Sequence, residues 1–314
     1  MKLYFFFLFA TFTFVNGNAQ PTALAPSAEK NPAASTPYSV NNPDRVFEMP
    51  EILKEISGLT FAPDLQHLCA VNDENGIIFF IDKNEGKVVR EMKFHKDGDY
   101  EGIEVVGESI YVVKSSGTVY KVKEISRDSA SFKKGKYLLR KENDTEGLAF
   151  DSENNQLLFA CKGRACLHNS CQVDGCMTKK SIYRMDLKKH RVSEEPAFEI
   201  SMADVQAFLK KNKSEKQLEK FDAFINPEDH KFHFHPSALA VHPITNDIYI
   251  LASKGKTMLV LDNQGSIIFM EKLKKKVHPQ PEGLAFDKDG TMYISNEGKK
   301  GGNGRICVFK YKKS

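Results

Sequence analysis

Five short strings recur along the chain at a nearly fixed interval, and this recurrence constrains the fold more than any other feature. They are Ile56-Ser57-Gly58-Leu59-Thr60-Phe61, Tyr100-Glu101-Gly102-Ile103-Glu104-Val105, Thr145-Glu146-Gly147-Leu148-Ala149-Phe150, Pro236-Ser237-Ala238-Leu239-Ala240-Val241 and Pro281-Glu282-Gly283-Leu284-Ala285-Phe286. Measured at the Ser or Glu, they start at 57, 101, 146, 237 and 282, so the intervals are 44, 45, 91 and 45 residues. A period of about 45 is that of a unit that buries its apolar face by stacking on its neighbours.

Each string is followed by a turn and a second β-rich run: His67 to Val71, Ser109 to Val113, Leu157 to Cys161, Asp247 to Leu251 and Thr291 to Ser295. A third run follows at Ile77 to Ile81, Thr118 to Val122, Ser181 to Met185, Met258 to Leu261 and Arg305 to Phe309. All are short, β-branched or aromatic, and bounded by Gly, Asp or Asn. Three or four strands per unit without an intervening helical period exclude a βαβ fold and predict an all-β chain, a β-propeller of small antiparallel sheets around a channel. Arg45 to Met49 is available to add a strand to the last blade and close the ring.

The 91-residue interval holds two exceptions. One is a cysteine-rich loop. The other is Met202 to Phe224, where Ser201 is a suitable N-cap and Val205, Phe208, Leu209, Leu218, Phe221 and Phe224 form an apolar stripe among Lys and Glu. This predicts a helical insertion over about 201–224. Five blades with an inserted helical segment is the first expectation; because 91 is close to twice the period, a degenerate sixth blade is the second.

The strings Glu55-Ile56-Ser57-Gly58-Leu59, Ala70-Val71-Asn72-Asp73-Glu74, Asp144-Thr145-Glu146-Gly147-Leu148-Ala149, Pro236 to Pro243 and Gln280 to Phe286, with Ile294-Ser295-Asn296-Glu297-Gly298, resemble the SdiA-regulated (YjiK-like) bacterial propeller family over residues 44 to 314. That family is related to the NHL-like and gluconolactonase-like propellers. The resemblance implies a β-propeller exported to, or attached at, the cell envelope, and it names no reaction.

Equivalent positions of propeller blades converge at one end of the channel. One such set is Ser57, Glu101, Glu146, Ser237 and Glu282; a second is Asn72-Asp73-Glu74, Lys114, Lys162, Lys254 and Asn296-Glu297. Carboxylates held together raise one another's pKa unless a cation lies between them, and a hard divalent ion, calcium or magnesium, suits oxygen donors. By analogy with gluconolactonase-like propellers, Glu101, Glu146 and Glu282 are the first candidate ligands, followed by Asp73, Asn296 and Glu297, with calcium the expected ion. Lys114, Lys162 and Lys254, with Ser57 and Ser237, are candidates to hold an anionic group of a ligand. The structural alternative is a ring of Lys–Glu ion pairs that needs no metal. The functional expectation is a module that binds a small molecule, glycan or envelope protein. The competing expectation is a metal-dependent hydrolase, lactonase-like or phosphoesterase-like, in which one glutamate acts as base.

The remaining features set the context. Lys2, the apolar run Leu3 to Val15 and the small residues Gly17-Asn18-Ala19 read as a signal peptide over residues 1–19, too short to span a bilayer easily. Residues 20–44 carry five of the thirteen prolines and read as a Pro/Ala/Ser-rich linker before the domain at 45–314. A periplasmic or extracellular protein is expected, membrane-associated at most, monomeric and without a transmembrane span after cleavage. With 45 Lys plus Arg against 41 Asp plus Glu, interspersed, the chain lacks the basic surface of a nucleic-acid binder.

Cys161, Cys166, Cys171 and Cys176 repeat every five residues, and in an exported protein two local disulfides are favoured over a thiolate metal site. Cys69 and Cys307 are expected as buried thiols. His230, His233 and His235 read as a partly solvated loop rather than a metal site, and Lys274 to Lys276, Lys310 and Lys312-Lys313 as solvated turns and terminus.

Overall fold

The computed structural model describes residues 36–126, 129–167, 173–224, 232–299 and 301–312. Each of the five repeats forms one antiparallel sheet, and the sheets are the blades of a β-propeller. Before the first repeat lies β1 (Arg45–Glu48). The first blade contains β2 (Ile56–Phe61), β3 (His67–Asn72), β4 (Ile77–Asp82) and β5 (Val88–Lys93). The second contains β6 (Tyr100–Val106), β7 (Ser109–Lys114), β8 (Thr118–Ser126) and β9 (Ser129–Lys136). In the third, β10 (Thr145–Asp151), β11 (Gln156–Cys161) and β12 (Lys179–Asp186) are followed by two short pieces, β13 (Arg191–Val192) and β14 (Phe198–Ser201), which both pair with β12. The fourth contains β15 (His235–Val241), β16 (Ile248–Lys254), β17 (Thr257–Leu261) and β18 (Ile267–Lys272), and the fifth β19 (Pro281–Phe286), β20 (Met292–Asn296) and β21 (Arg305–Phe309).

The middle strands are buried on both faces, as in Leu68 to Asn72 and Leu157 to Cys161. Each blade is covered by a neighbour on either side, so its strands read as continuous apolar runs. The buried side chains accordingly group by blade interface. Ile78 and Phe80 meet Ile103 and Val112 between the first and second blades, and Val113 meets Phe159 between the second and third. Asp82, Asp186 and Asp262 close the outer turns after the third strands, and Asp287 the turn after the innermost strand of the fifth blade, by accepting backbone N–H bonds from residues just after them.

The ring closes as expected: β1 pairs antiparallel with β21, from Arg45 opposite Val308 to Glu48 opposite Arg305. The long interval contains no sixth blade among the described residues. It contains the remainder of the third blade, helix α1 (Val173–Met177) and the helical insertion, comprising α2 (Met202–Asn212), α3 (Glu215–Leu218) and a short 3-10 turn. Ser201 caps α2, its Oγ accepting from Asp204 N at 3.0 Å. Val205, Leu209 and Phe221 are buried against the core between the third and fourth blades.

Residues 36–44 correct the expected linker boundary. Tyr38 and Val40 are buried with side chains of the fourth and fifth blades, so this stretch belongs to the folded part. Composition concealed this because two anchors suffice. Tyr38 Oη bonds His242 Nε2 at 2.7 Å, and the ring of His278 contacts Val40 O through Nε2 at 2.8 Å. The expected signal peptide at residues 1–19, and residues 20–35, lie outside the described residues. No helix among the described residues is long and apolar enough to cross a membrane.

The cysteines also differ from expectation. Cys166 and Cys176 form a disulfide, but Cys161 is a free thiol at 0% exposure. It ends β11 and its side chain belongs to the core between the second and third blades, out of the loop that carries the disulfide. Cys171 and His230 lie outside the described residues. Cys69 and Cys307 are buried thiols.

Candidate functional site

The innermost strand of every blade carries a bulge at the same place. In β6, Tyr100 lies opposite Lys114 and Gly102 opposite Val113, leaving Glu101 as the additional residue. Glu146 occupies that place between Thr145 and Gly147, Ser237 between Pro236 and Ala238, and Glu282 between Pro281 and Gly283. In β2 the irregular pair is Ser57 and Gly58. A bulge re-aims a side chain out of the pleat. Glu101, Glu146, Ser237 and Glu282 accordingly line a channel constriction of about 10 Å³. The glycine after each glutamate follows from the same narrowness. A Cβ on Gly102 would lie 2.9 Å from Glu146 O and 2.7 Å from Leu148 Cβ, and one on Gly58 2.7 Å from Ile103 N, both on the next blade.

The carboxylates are only partly compensated. Lys162 Nζ donates to Glu146 Oε1 at 2.8 Å. Burial works against the Lys162 charge, but Glu146, Asp144 and Glu282 together raise the lysine pKa. Glu146 is nevertheless pushed up to about 8, by burial first and then, against the help of Lys162, by Glu282. Glu282 is 5% exposed, its Oε2 has no hydrogen-bond partner among the described residues, and burial followed by Glu297 pushes it up to about 8. Glu101 is pushed up to about 9 by burial, then by Glu146 and Asp99, although Ser57 Oγ donates to its Oε2 at 3.2 Å.

The other expected residues take distinct places. Lys114 Nζ lies over the Tyr100 ring, 5.2 Å from its centroid, and Lys254 is exposed and in no ion pair among the described residues. The ring of Lys–Glu pairs therefore does not form: one of three candidate lysines reaches a channel glutamate. Ser57 and Ser237 are buried, and their hydroxyls join blades by donating to Glu101 O at 2.9 Å and Pro281 O at 2.7 Å. Asp73 has an unpartnered buried Oδ1 and is pushed up to about 6 by burial and then Glu55; Asn296 is fully buried with Oδ1 unpartnered. Glu297 accepts from Gln280 Nε2 and is pushed up to about 7 by burial, then Asp73. Among the described residues, no group of three or more His, Cys, Asp or Glu stands ready to hold a metal ion.

Further residues complete the mouth. Glu55, Asp99 and Asp144 act on these carboxylates, and all stand two residues before a channel position, where extending the repeat comparison by two residues would reveal them. Away from the mouth, towards the far end of β6, Glu104 joins three blades, accepting from Thr60 Oγ1 at 2.6 Å and Phe150 N at 3.1 Å. Lys180, pushed down to about 8 by burial, donates to Lys162 O and Gly163 O. His233 and His235 are half-buried with parallel rings, and His235 is pushed down to about 4 by burial, then Lys180 and Lys254. The mouth thus has an acidic side on the first, second and fifth blades and a lysine-rich side on the third and fourth, where Glu146 and Asp144 of the third blade lie among Lys162, Lys180 and Lys254.

Comparison with known proteins agrees with this architecture. The glutaminyl cyclase of Myxococcus xanthus is similar in fold, with a TM-score of 0.54 at 11% identity over 86% of this chain and 95% of that one. A luciferin-regenerating enzyme gives a TM-score of 0.47 at 11% identity over the same shares. The sequence pattern of the SdiA-regulated family matches residues 38–218 and 199–299. These matched ranges contain every bulged channel position, and the chain belongs to the SdiA-regulated family.

Proposed function

We propose that this protein is an exported cell-envelope propeller that binds a ligand at its channel mouth, with a divalent cation among Glu101, Glu146 and Glu282. The observation that carries this reading is Glu282: a buried carboxylate with an unpartnered oxygen, beside two further glutamates presented by identical bulges. All three are pushed well above the ordinary carboxylate range, which a cation would relieve. Because the carboxylates form no complete shell, the ion would take one or two of them and keep water on its remaining positions, as magnesium commonly does and calcium tolerates. Export is supported by the apolar run at Leu3 to Val15 and by the Cys166–Cys176 disulfide, which is characteristic of oxidising compartments.

The test is metal content and melting temperature of the purified protein before and after chelation. One calcium or magnesium per chain, with a concentration-dependent rise in melting temperature that is lost in Glu146→Gln and Glu282→Gln, is expected. Neither ion nor shift would overturn the cation.

One observation favours the hydrolase as a second reading. Glu146 and Glu282 at about 8 can exchange a proton near neutral pH, the property needed of a general acid or base. A hydrolase would lose turnover in Glu282→Gln far more than affinity, whereas a binding module would lose affinity alone.

A further inference from the structure

Beside the channel constriction, on the basic side of the mouth, lies a cleft of about 570 Å³ lined by Lys162, Lys254, Lys256, Lys272 and Lys299. Gln280, Ser253 and Glu282 complete its polar wall, so Glu282 borders both the cleft and the channel. Lysines of such density on a flat surface would be an ordinary solvated face. Here they converge on a concavity, and two are fixed by main-chain carbonyls. Lys256 Nζ donates to Pro279 O at 2.6 Å and Ser253 O at 3.4 Å, and Lys272 Nζ donates to Gly255 O. An ammonium has three N–H donors, so Lys256 retains one for a ligand.

We infer that this cleft is an anion subsite that takes a phosphoryl group of a small ligand. The geometry points to phosphate rather than to a planar carboxylate, because the lining contains lysines and no arginine. Lysine ammoniums act as point charges that suit a tetrahedral, multiply charged oxyanion, whereas paired recognition of a carboxylate is the strength of the guanidinium fork. Size agrees: the volume falls in the range of small-molecule sites and is too small for a macromolecular face. Electrostatics give independent support. Lys272 is held down at about 8 by burial and then by Lys256, and Lys256 is lowered by burial and then Lys299, so an anion would relieve like-charge crowding already present. The inference deepens the ligand-binding reading of the mouth and needs no cation.

The experiment is isothermal titration of the purified protein with pyrophosphate, inorganic phosphate and a sugar phosphate, each in chelator and in calcium. One saturable site in chelator is expected. Binding of the sugar phosphate in preference to the inorganic anions assigns an esterified ligand, and the reverse order assigns free phosphate or pyrophosphate. Lys254→Gln and Lys299→Gln, both at exposed side chains, should each weaken binding about tenfold without lowering the melting temperature, because a hydrogen bond to a charged group is of that order. Lys188→Gln, on the exposed outer turn of the third blade, should leave binding unchanged. No saturable heat, or equal affinity in all variants, would overturn the subsite. Binding only when calcium is present would overturn it too, and would place the anion on the cation. Calcium binding without phosphate binding leaves the mouth cation standing while the subsite falls.

Discussion

Glu146 in the innermost strand of the third blade and Lys162 just after the adjacent strand form an ion pair of 2.8 Å beside a channel where two other glutamates have no such partner among the described residues. Glu146 is 4% exposed, so the pair is almost fully desolvated on the acid side. Pairs of this kind contribute little net stability, but removing one member is strongly destabilising because it strands the other charge. The asymmetry of one paired and two unpaired carboxylates gives the mouth its response to pH and cations.

Without a cation, stability should fall as pH rises from about 4.5 towards 8. Glu282 and Glu146 have folded pKa values of about 8, above the ordinary carboxylate value, so their contribution is full below about 4.5 and is lost as pH rises through about 8. Calcium should therefore raise the melting temperature at pH 8 and do little at pH 5. Glu282→Gln should raise the melting temperature of the chelated protein at pH 8 and reduce the calcium response. A calcium effect equal at both pH values would contradict this account.

Acid should weaken the attachment of residues 38–42. His242 and His278 are buried and pushed down to about 4 by loss of solvation, so both are neutral in the folded chain. Their stabilisation is complete above about 6.5 and is lost as pH falls towards 4. Protection factors of the Tyr38 and Val40 amides, taken relative to the intrinsic exchange rate at each pH, should fall over that window, and His278→Gln should shrink the acid-dependent part. Unchanged protection factors from pH 7 to 4 would rule the histidines out as anchors.

Gly102→Ala should destabilise the ring by about 1–3 kcal/mol, the usual range for overpacking a closely packed site. The added methyl would meet Glu146 O and Leu148 Cβ on the third blade. Gly107→Ala, where a Cβ meets nothing within 4 Å but φ is +58°, isolates backbone strain from inter-blade crowding. Denaturant midpoints of the two variants separate these effects, and a Gly102→Ala protein as stable as wild type would refute the close approach.

The disulfide should contribute about 2–3 kcal/mol. It joins residues ten apart, and loop-closure entropy for that length is of this size. Urea midpoints of Cys166→Ala/Cys176→Ala against wild type measure it. Cys161→Ser should be destabilising for another reason: it places a hydroxyl in the apolar core between two blades.

Whereas the choice of five blades over six and the outermost strands came from the tertiary structure, the sequence alone determined the repeat, three strands of each blade, a segment at Arg45 to Met49 available to close the ring and the capped insertion after Ser201. Such features are legible because each is written locally, in a period, a β-rich run or a cap. It also marked Glu101, Glu146 and Glu282 as equivalent positions. Tertiary structure alone decided that they occupy bulges facing one constriction, that Lys162 reaches a glutamate while Lys114 rests on Tyr100, and that Cys161 belongs to a core. The lysine cleft was half hidden: the repeat marked Lys162 and Lys254, but only the fold brings Lys256, Lys272 and Lys299 beside them. Strand register and side-chain reach depend on how neighbouring blades pack, and that packing is a property of the closed ring that no single repeat contains.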